Sequence, residues 1–234
     1  MPNPVLLNNL QHADLRVLTR PGADLGDAIM GVTTFPAEFR DVQACYPIVF
    51  RKTTDGLGFE PIALFGFQDG ENLFLQGQRW DAPYIPLMHQ RQPFLIGISG
   101  EELMVNVDLD HPRVSQSEGE AVFKPHGGTT EFLDQTNAML FAIHQGLQAT
   151  QGFLAALLEH ELVESFALDV QLNDGSQHRL AGFYTINEDR LQALGGEAIA
   201  RLHQAGYLQP IYLIIASLSN FRSLIDRKNA SLHV

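Results

Sequence analysis

The chain has 234 residues, 45% hydrophobic and 18% charged, with 15 basic residues against 27 acidic ones and a formal charge of −12. That composition excludes intrinsic disorder, a collagen-like repeat and a disulfide scaffold, since the single cysteine, Cys45, has no partner within the chain. The acidic balance argues against nucleic acid as a partner, because phosphate neutralisation needs a basic surface. The longest strongly apolar stretch, residues 210–218, has about half the length needed to cross a bilayer.

The N-terminal 35 residues read as irregular, with strand-like pieces near 15–18. No early positive charge or apolar core marks a secretory signal, so a cytoplasmic location is expected. Pro36 followed by AEFRDVQA predicts a short helix, proline being tolerated in the first turn. Residues 46–52 are apolar and rich in strand formers. Residues 59–67 and 72–76 flank QDGE and predict a hairpin, Gly70 supplying the positive φ. Residues 94–98 and 103–109 predict a second hairpin, ended by Pro112, which has no ladder donor. Residues 115–130 read as a polar loop.

From 131 to 162 the period becomes helical. Leu133, Leu140, Leu147 and Leu154 recur every seven residues, with Thr136, Ile143, Thr150 and Leu157 between them. This predicts one helix of about 30 residues, or two broken near 150–152. Packing on a sheet is favoured for it, with a homodimer seam as the alternative. Residues 166–172 and 178–185 flank NDGSQ as a third hairpin. Asn187 is expected to cap a helix over 188–194, Gly195 and Gly196 to end it, and Gly206 to end the helix after it. Residues 211–215 read as a buried strand or a helix start, and 217–228 as a final helix. The fold class expected is α+β. The whole chain, 1–234, reads as one domain, with a β-rich lobe over 1–130 and an α-rich lobe over 131–234.

Between Lys124 and Arg179 there is no Lys or Arg, yet there are seven acids. A solvated face is the plain reading, and a docking surface for a basic partner the sharper one. His12-Ala13-Asp14 has the spacing that begins a two-histidine, one-carboxylate iron site. Nine histidines and 27 acids in 234 residues produce about one such spacing by accident. His160-Glu161-Leu162-Val163-Glu164 is one ligand short of a zinc-hydrolase motif, although on a helix His160 and Glu164 would share a face. No metal and no cofactor are therefore expected. Gly97-Ile98-Ser99-Gly100 lacks the last spacing of a nucleophile elbow. Asp108, Asp110 and His111 read as turn-capping residues. Cys45 reads as a small core residue.

Residues 77–94, GQRWDAPYIPLMHQRQPF, concentrate the only tryptophan, two arginines and three prolines between two strands. Arg79, Trp80, Tyr84, His89, Arg91 and Phe94 are the candidate binding residues: guanidinium for carboxylate or phosphate, rings for apolar contact. The plainer alternative is a rigid connector with Trp80 and Tyr84 in the core. No catalytic residue is assigned.

The ordered set YPIVFRK (46–52), PIALFGF (61–67), NLFL (72–75), W…YIP (80–86), R…PF (91–94), DG…LAGFYTINEDRLQAL (174–194) and GYLQPIYLIIASLSN (206–220) resembles the bacterial SapC family over about residues 35–225. Where the family often carries a His before SL, this chain has IYLIIASL. The resemblance implies an association with surface-layer proteins. It also implies gene neighbours that include flavin-dependent tryptophan halogenases, cupin-like hydroxylases and TonB-dependent receptors. It transfers no catalytic residue. It is not a resemblance to the membrane-spanning permease that shares the name. The leading expectation is a soluble accessory or binding protein with an unknown protein or small-molecule partner. The alternatives are a non-haem iron-dependent oxygenase and a scaffold subunit for a flavin-dependent halogenase.

Overall fold

The computed structural model describes residues 3–99 and 102–232. In chain order its elements are β1 (Pro4–Leu6), β2 (Arg16–Val17), β3 (Gly31–Thr33), α1 (Phe39–Val42), β4 (Ile48–Lys52), β5 (Phe59–Leu64), β6 (Leu75–Gln76), β7 (Arg79–Trp80), α2 (Leu87–Gln90), β8 (Phe94–Ser99), β9 (Glu102–Asp108), β10 (Val114–Ser115), β11 (Glu120–Ala121), α3 (Glu131–Glu159), β12 (Val163–Gln171), β13 (Gln177–Ile186), α4 (Glu188–Gln192), α5 (Gly196–Gln204), α6 (Leu208–Ser217) and α7 (Asn220–Ser231). Antiparallel sheets, a long helix and a helical C-terminal part make the fold α+β.

The chain divides into two compact units, each assembled from separated segments: residues 1–28, 75–80 and 87–145, and residues 29–74, 81–86 and 146–234. Strands and helices occur in both.

The first unit holds an antiparallel sheet in the order β1-β9-β8. Val5 pairs with Val107, and Val107 with Phe94, so one face of all three strands is apolar. That face closes on Leu15, Val17, Val122, Leu133 and Leu140. The 115–130 stretch, expected as a loop, contributes β11, which with β10 pairs against β2. Only glycine fits at Gly119, since a Cβ there would stand 2.2 Å from the Val17 carbonyl oxygen. Leu75–Gln76 pairs with Arg79–Trp80 across Gly77, and so does not form the hairpin with β5 that the sequence suggests. The QDGE turn does form, with Glu71 N–H donating to Gln68 O. Across that turn Leu73 N–H donates to Phe65 O at 2.9 Å, and the Glu71 carboxylate accepts from the Phe67 amide and from Lys228.

The second unit is built on a five-stranded antiparallel sheet, β12-β13-β4-β5-β3. β5 is flanked by β4 and β3, which satisfies both of its edges. Helix α6 packs on β13, β4 and α1. Residues 211–215 therefore belong to a helix, with Ile211 and Ile214 fully buried. Asn187 caps α4 as expected, its side-chain oxygen accepting from Arg190 N–H at 2.8 Å.

Helix α3 runs unbroken through Thr150–Gly152. Its two seam threonines return their hydroxyls to the helix, Thr136 to Phe132 O at 2.9 Å and Thr150 to Gly146 O at 2.7 Å. That satisfies both hydroxyls while their methyl groups stay buried. Thr130 Oγ1 accepts from Leu133 N–H at the start of the helix, and Glu131 and Asp134 suit its positive end.

Candidate functional site

Five of the six candidate residues lie in the first unit: Arg79 and Trp80 on β7, His89 on α2, Arg91 in the turn after it, and Phe94 opening β8. Tyr84 belongs to the second unit.

In the first unit the one-turn helix α2 carries His89 inward. His89 is buried, and its Nε2 donates to Asp27 Oδ1 at 2.7 Å. Arg113 donates to the same oxygen at 2.5 Å, and Gly22 N–H donates to Oδ2 at 2.7 Å. Arg113 also holds the carbonyls of Leu18 and Arg20, at 2.8 and 2.9 Å. Burial alone would raise the Asp27 carboxyl. The His89, Gly22 and Arg113 donors outweigh it and hold the group below the usual carboxylate value. The Trp80 ring lies 5.0 Å from the His89 ring, tilted by 38°. His111 stands close by, its imidazole pushed down by burial and then by Arg113.

The 91–94 turn is held at its base. Arg91 N–H donates to Leu87 O, Gln92 N–H to His89 O, and Phe94 N–H to Arg91 O. The Arg91 guanidinium is drawn partly into the protein, where it donates to Phe94 O at 2.6 Å. Among the described residues no carboxylate stands opposite it, and burial accordingly pushes it below the usual guanidinium value. Phe94 is 1% exposed and belongs to the hydrophobic core of the unit. Arg79 is exposed, with Gln76 Oε1 at 3.4 Å.

In the second unit the Tyr84 hydroxyl donates to Glu38 Oε2 at 2.8 Å, and Thr34 donates to Oε1 of the same buried carboxyl at 2.6 Å. Tyr46 donates to the Tyr84 carbonyl at 2.5 Å. Burial, followed by the Glu38 charge, raises the Tyr84 phenol far above its usual value, so it serves as a fixed donor.

Several of the other sequence candidates have structural partners. His12 Nδ1 accepts from Asn8 N–H inside a turn, while Asp14 is exposed. Helix α3 ends at Glu159, and Glu161 takes φ 56°, so the helical face that would join His160 to Glu164 does not exist. Glu164 instead lies on β12, and Glu161 pairs with Arg190 at 2.8 Å. Asp108 caps Asn3 N–H and Asp110 N–H. The Cys45 thiol is pushed up by burial. Among the described residues no three His, Cys, Asp or Glu side chains are grouped to hold a metal. Among them, too, no helix is long and apolar enough to cross a membrane.

Sequence reasoning missed Asp27, Arg113 and Glu38. None lies in a recognisable motif, and each gains its role from contacts 46 to 86 residues away.

No curated protein and no solved structure matches this chain. The SapC family model does match, over residues 7–224. With nearly its whole length matched, the chain belongs to the SapC family.

Proposed function

We propose that residues 1–234 act as one SapC-like domain, a soluble, cytoplasmic bacterial accessory protein that binds a carboxylate-bearing ligand, a peptide or an aromatic acid, at Arg91. Service to envelope, surface-layer or TonB-dependent uptake systems follows from the family resemblance alone. The ligand class rests on one observation: Arg91 keeps a partly buried charge whose sole hydrogen-bond partner among the described residues is a backbone carbonyl. Removing a guanidinium from water without a counter-charge is costly, and a carboxylate arriving in bidentate geometry offsets that cost. The guanidinium has four further N–H donors to offer such a ligand. The turn's backbone hydrogen bonds fix it in advance, which lowers the ordering entropy of binding.

The test is titration with benzoate, followed through the Arg91 side-chain Nε–H resonance. Arg91→Ala should weaken benzoate binding by about 1–3 kcal/mol, the range for a lost charge-assisted hydrogen bond, with little change in melting temperature. Equal binding by Arg91→Ala and the unaltered chain sinks the reading.

A further inference from the structure

The Arg91 turn is anchored at His89. Helix α2 is a single turn, too short to hold its own orientation. The His89 Nε2–H donated to Asp27 Oδ1 ties it down. Asp27 is in turn immobilised by Arg113 on that same oxygen and by Gly22 N–H on the other. Arg113 extends the anchorage to the Leu18 and Arg20 carbonyls. The chain then passes from His89 to Arg91 through two backbone hydrogen bonds, Arg91 N–H to Leu87 O at 3.0 Å and Gln92 N–H to His89 O at 3.2 Å. A displaced His89 ring therefore moves the peptide that aims the guanidinium.

We infer that the Asp27–His89–Arg113 network positions Arg91 for its anion, His89 being a positioning residue that does not touch the ligand. This rests on the Arg91 reading above and adds what holds that site in shape. Trp80 makes it observable. It is the only tryptophan in the chain, and its ring lies 5.0 Å from the His89 ring, so a displacement of His89 in a variant alters its emission.

The experiment compares two substitutions with the unaltered protein, using benzoate as the probe. In His89→Gln the side-chain amide reaches about as far as Nε2 and still donates to Asp27. In His89→Asn the amide stops short. Benzoate affinity should fall about five-fold or more in His89→Asn, and stay within about two-fold in His89→Gln, for the loss of one hydrogen bond to a charged group. Should His89→Asn fail to fold, Asp27→Asn decides the matter, since it keeps the His89 ring and loosens its anchor. There the Trp80 emission should differ from that of the unaltered protein, and benzoate affinity should fall about five-fold or more. Loss of binding in Arg91→Ala with none in His89→Asn overturns the positioning role and leaves the anion site standing. Asp27→Asn with altered Trp80 emission and unchanged benzoate affinity overturns it too. Equal binding by Arg91→Ala and the unaltered chain overturns the anion site itself.

Discussion

The backbone N–H of Ile48 donates to the hydroxyl of Ser217 at 2.8 Å, across 169 residues of sequence. That hydroxyl gives its own proton to Ile214 O at 2.6 Å. Both residues are fully buried. The pair joins the first residue of β4 to the last turn of α6, and it satisfies a strand amide that the ladder with β5 leaves over. Ser217→Ala removes the acceptor and leaves a buried N–H without a partner. The expected loss is about 1–3 kcal/mol of unfolding free energy. Ser219→Ala is the control, since its exposed hydroxyl returns only to Ala216 O, and it should change stability by no more than about 0.5 kcal/mol. Equal denaturation midpoints for the two variants contradict the assignment.

Gly146 stands in the middle of α3 against the ring of Phe35, and a Cβ there would meet Phe35 Cδ2 at 2.2 Å. On an exposed helix Gly→Ala gains about 1 kcal/mol from propensity. Here the sign should reverse. Phe35 is 2% exposed and its ring has no room to withdraw, so Gly146→Ala should destabilise by about 1–3 kcal/mol through overpacking. Trimming the ring tests the cause: Gly146→Ala should cost less in a Phe35→Leu background than alone, a coupling visible in a double-mutant cycle. A higher melting temperature for Gly146→Ala by itself refutes this.

What the sequence revealed was local. Gly70, Gly175 and Gly206 all adopt the positive φ that their turns and helix ends require, and Asn187 caps α4 through its own neighbours. The three-stranded sheet was half legible: β8 and β9 are neighbours in sequence, but β1 is too short to announce itself and arrives from 102 residues away, as with Val5 against Val107. The hairpin drawn between 59–67 and 72–76 reduces to its turn and the Leu73 N–H to Phe65 O hydrogen bond, because Leu75–Gln76 pairs forward with Arg79–Trp80, a competition that the local pattern does not settle. The interleaving of the two units was invisible for the same reason, since composition along the chain does not record which segments meet. At the candidate site, the density of rings and guanidinium groups in 77–94 identified a segment with specific contacts. It did not separate Phe94, which is core, from Arg91, which keeps unanswered charge. That distinction depends on which side chains meet in three dimensions: Phe94 joins the core cluster, and among the described residues no carboxylate stands opposite Arg91.

Asp27 should give the chain a measurable acid sensitivity. Burial pushes its carboxyl up, but the donors from His89, Gly22 and Arg113 more than reverse this and leave it below the value of 3.8 it has when unfolded. A carboxyl depressed in the folded state binds protons more readily once unfolded. Its contribution to stability is therefore complete above 3.8, and it is lost as the pH falls through the lower folded value. Asp27→Asn abolishes that titration. It also leaves Arg113 without its counter-charge, so at neutral pH the variant should be less stable by about 3–5 kcal/mol, the usual cost of breaking a buried ion pair. The informative quantity is the difference in urea-unfolding free energy between the unaltered chain and Asp27→Asn, measured from neutral pH down to about pH 2. The exposed aspartates whose carboxyls are also lowered, Asp24, Asp55 and Asp174, titrate in both proteins and cancel. The difference should be constant at neutral pH and shrink once the pH passes below 3.8. A difference that stays constant to the acid limit, or that grows on acidification, would mean that Asp27 does not carry the charge that holds Arg113 and His89 together.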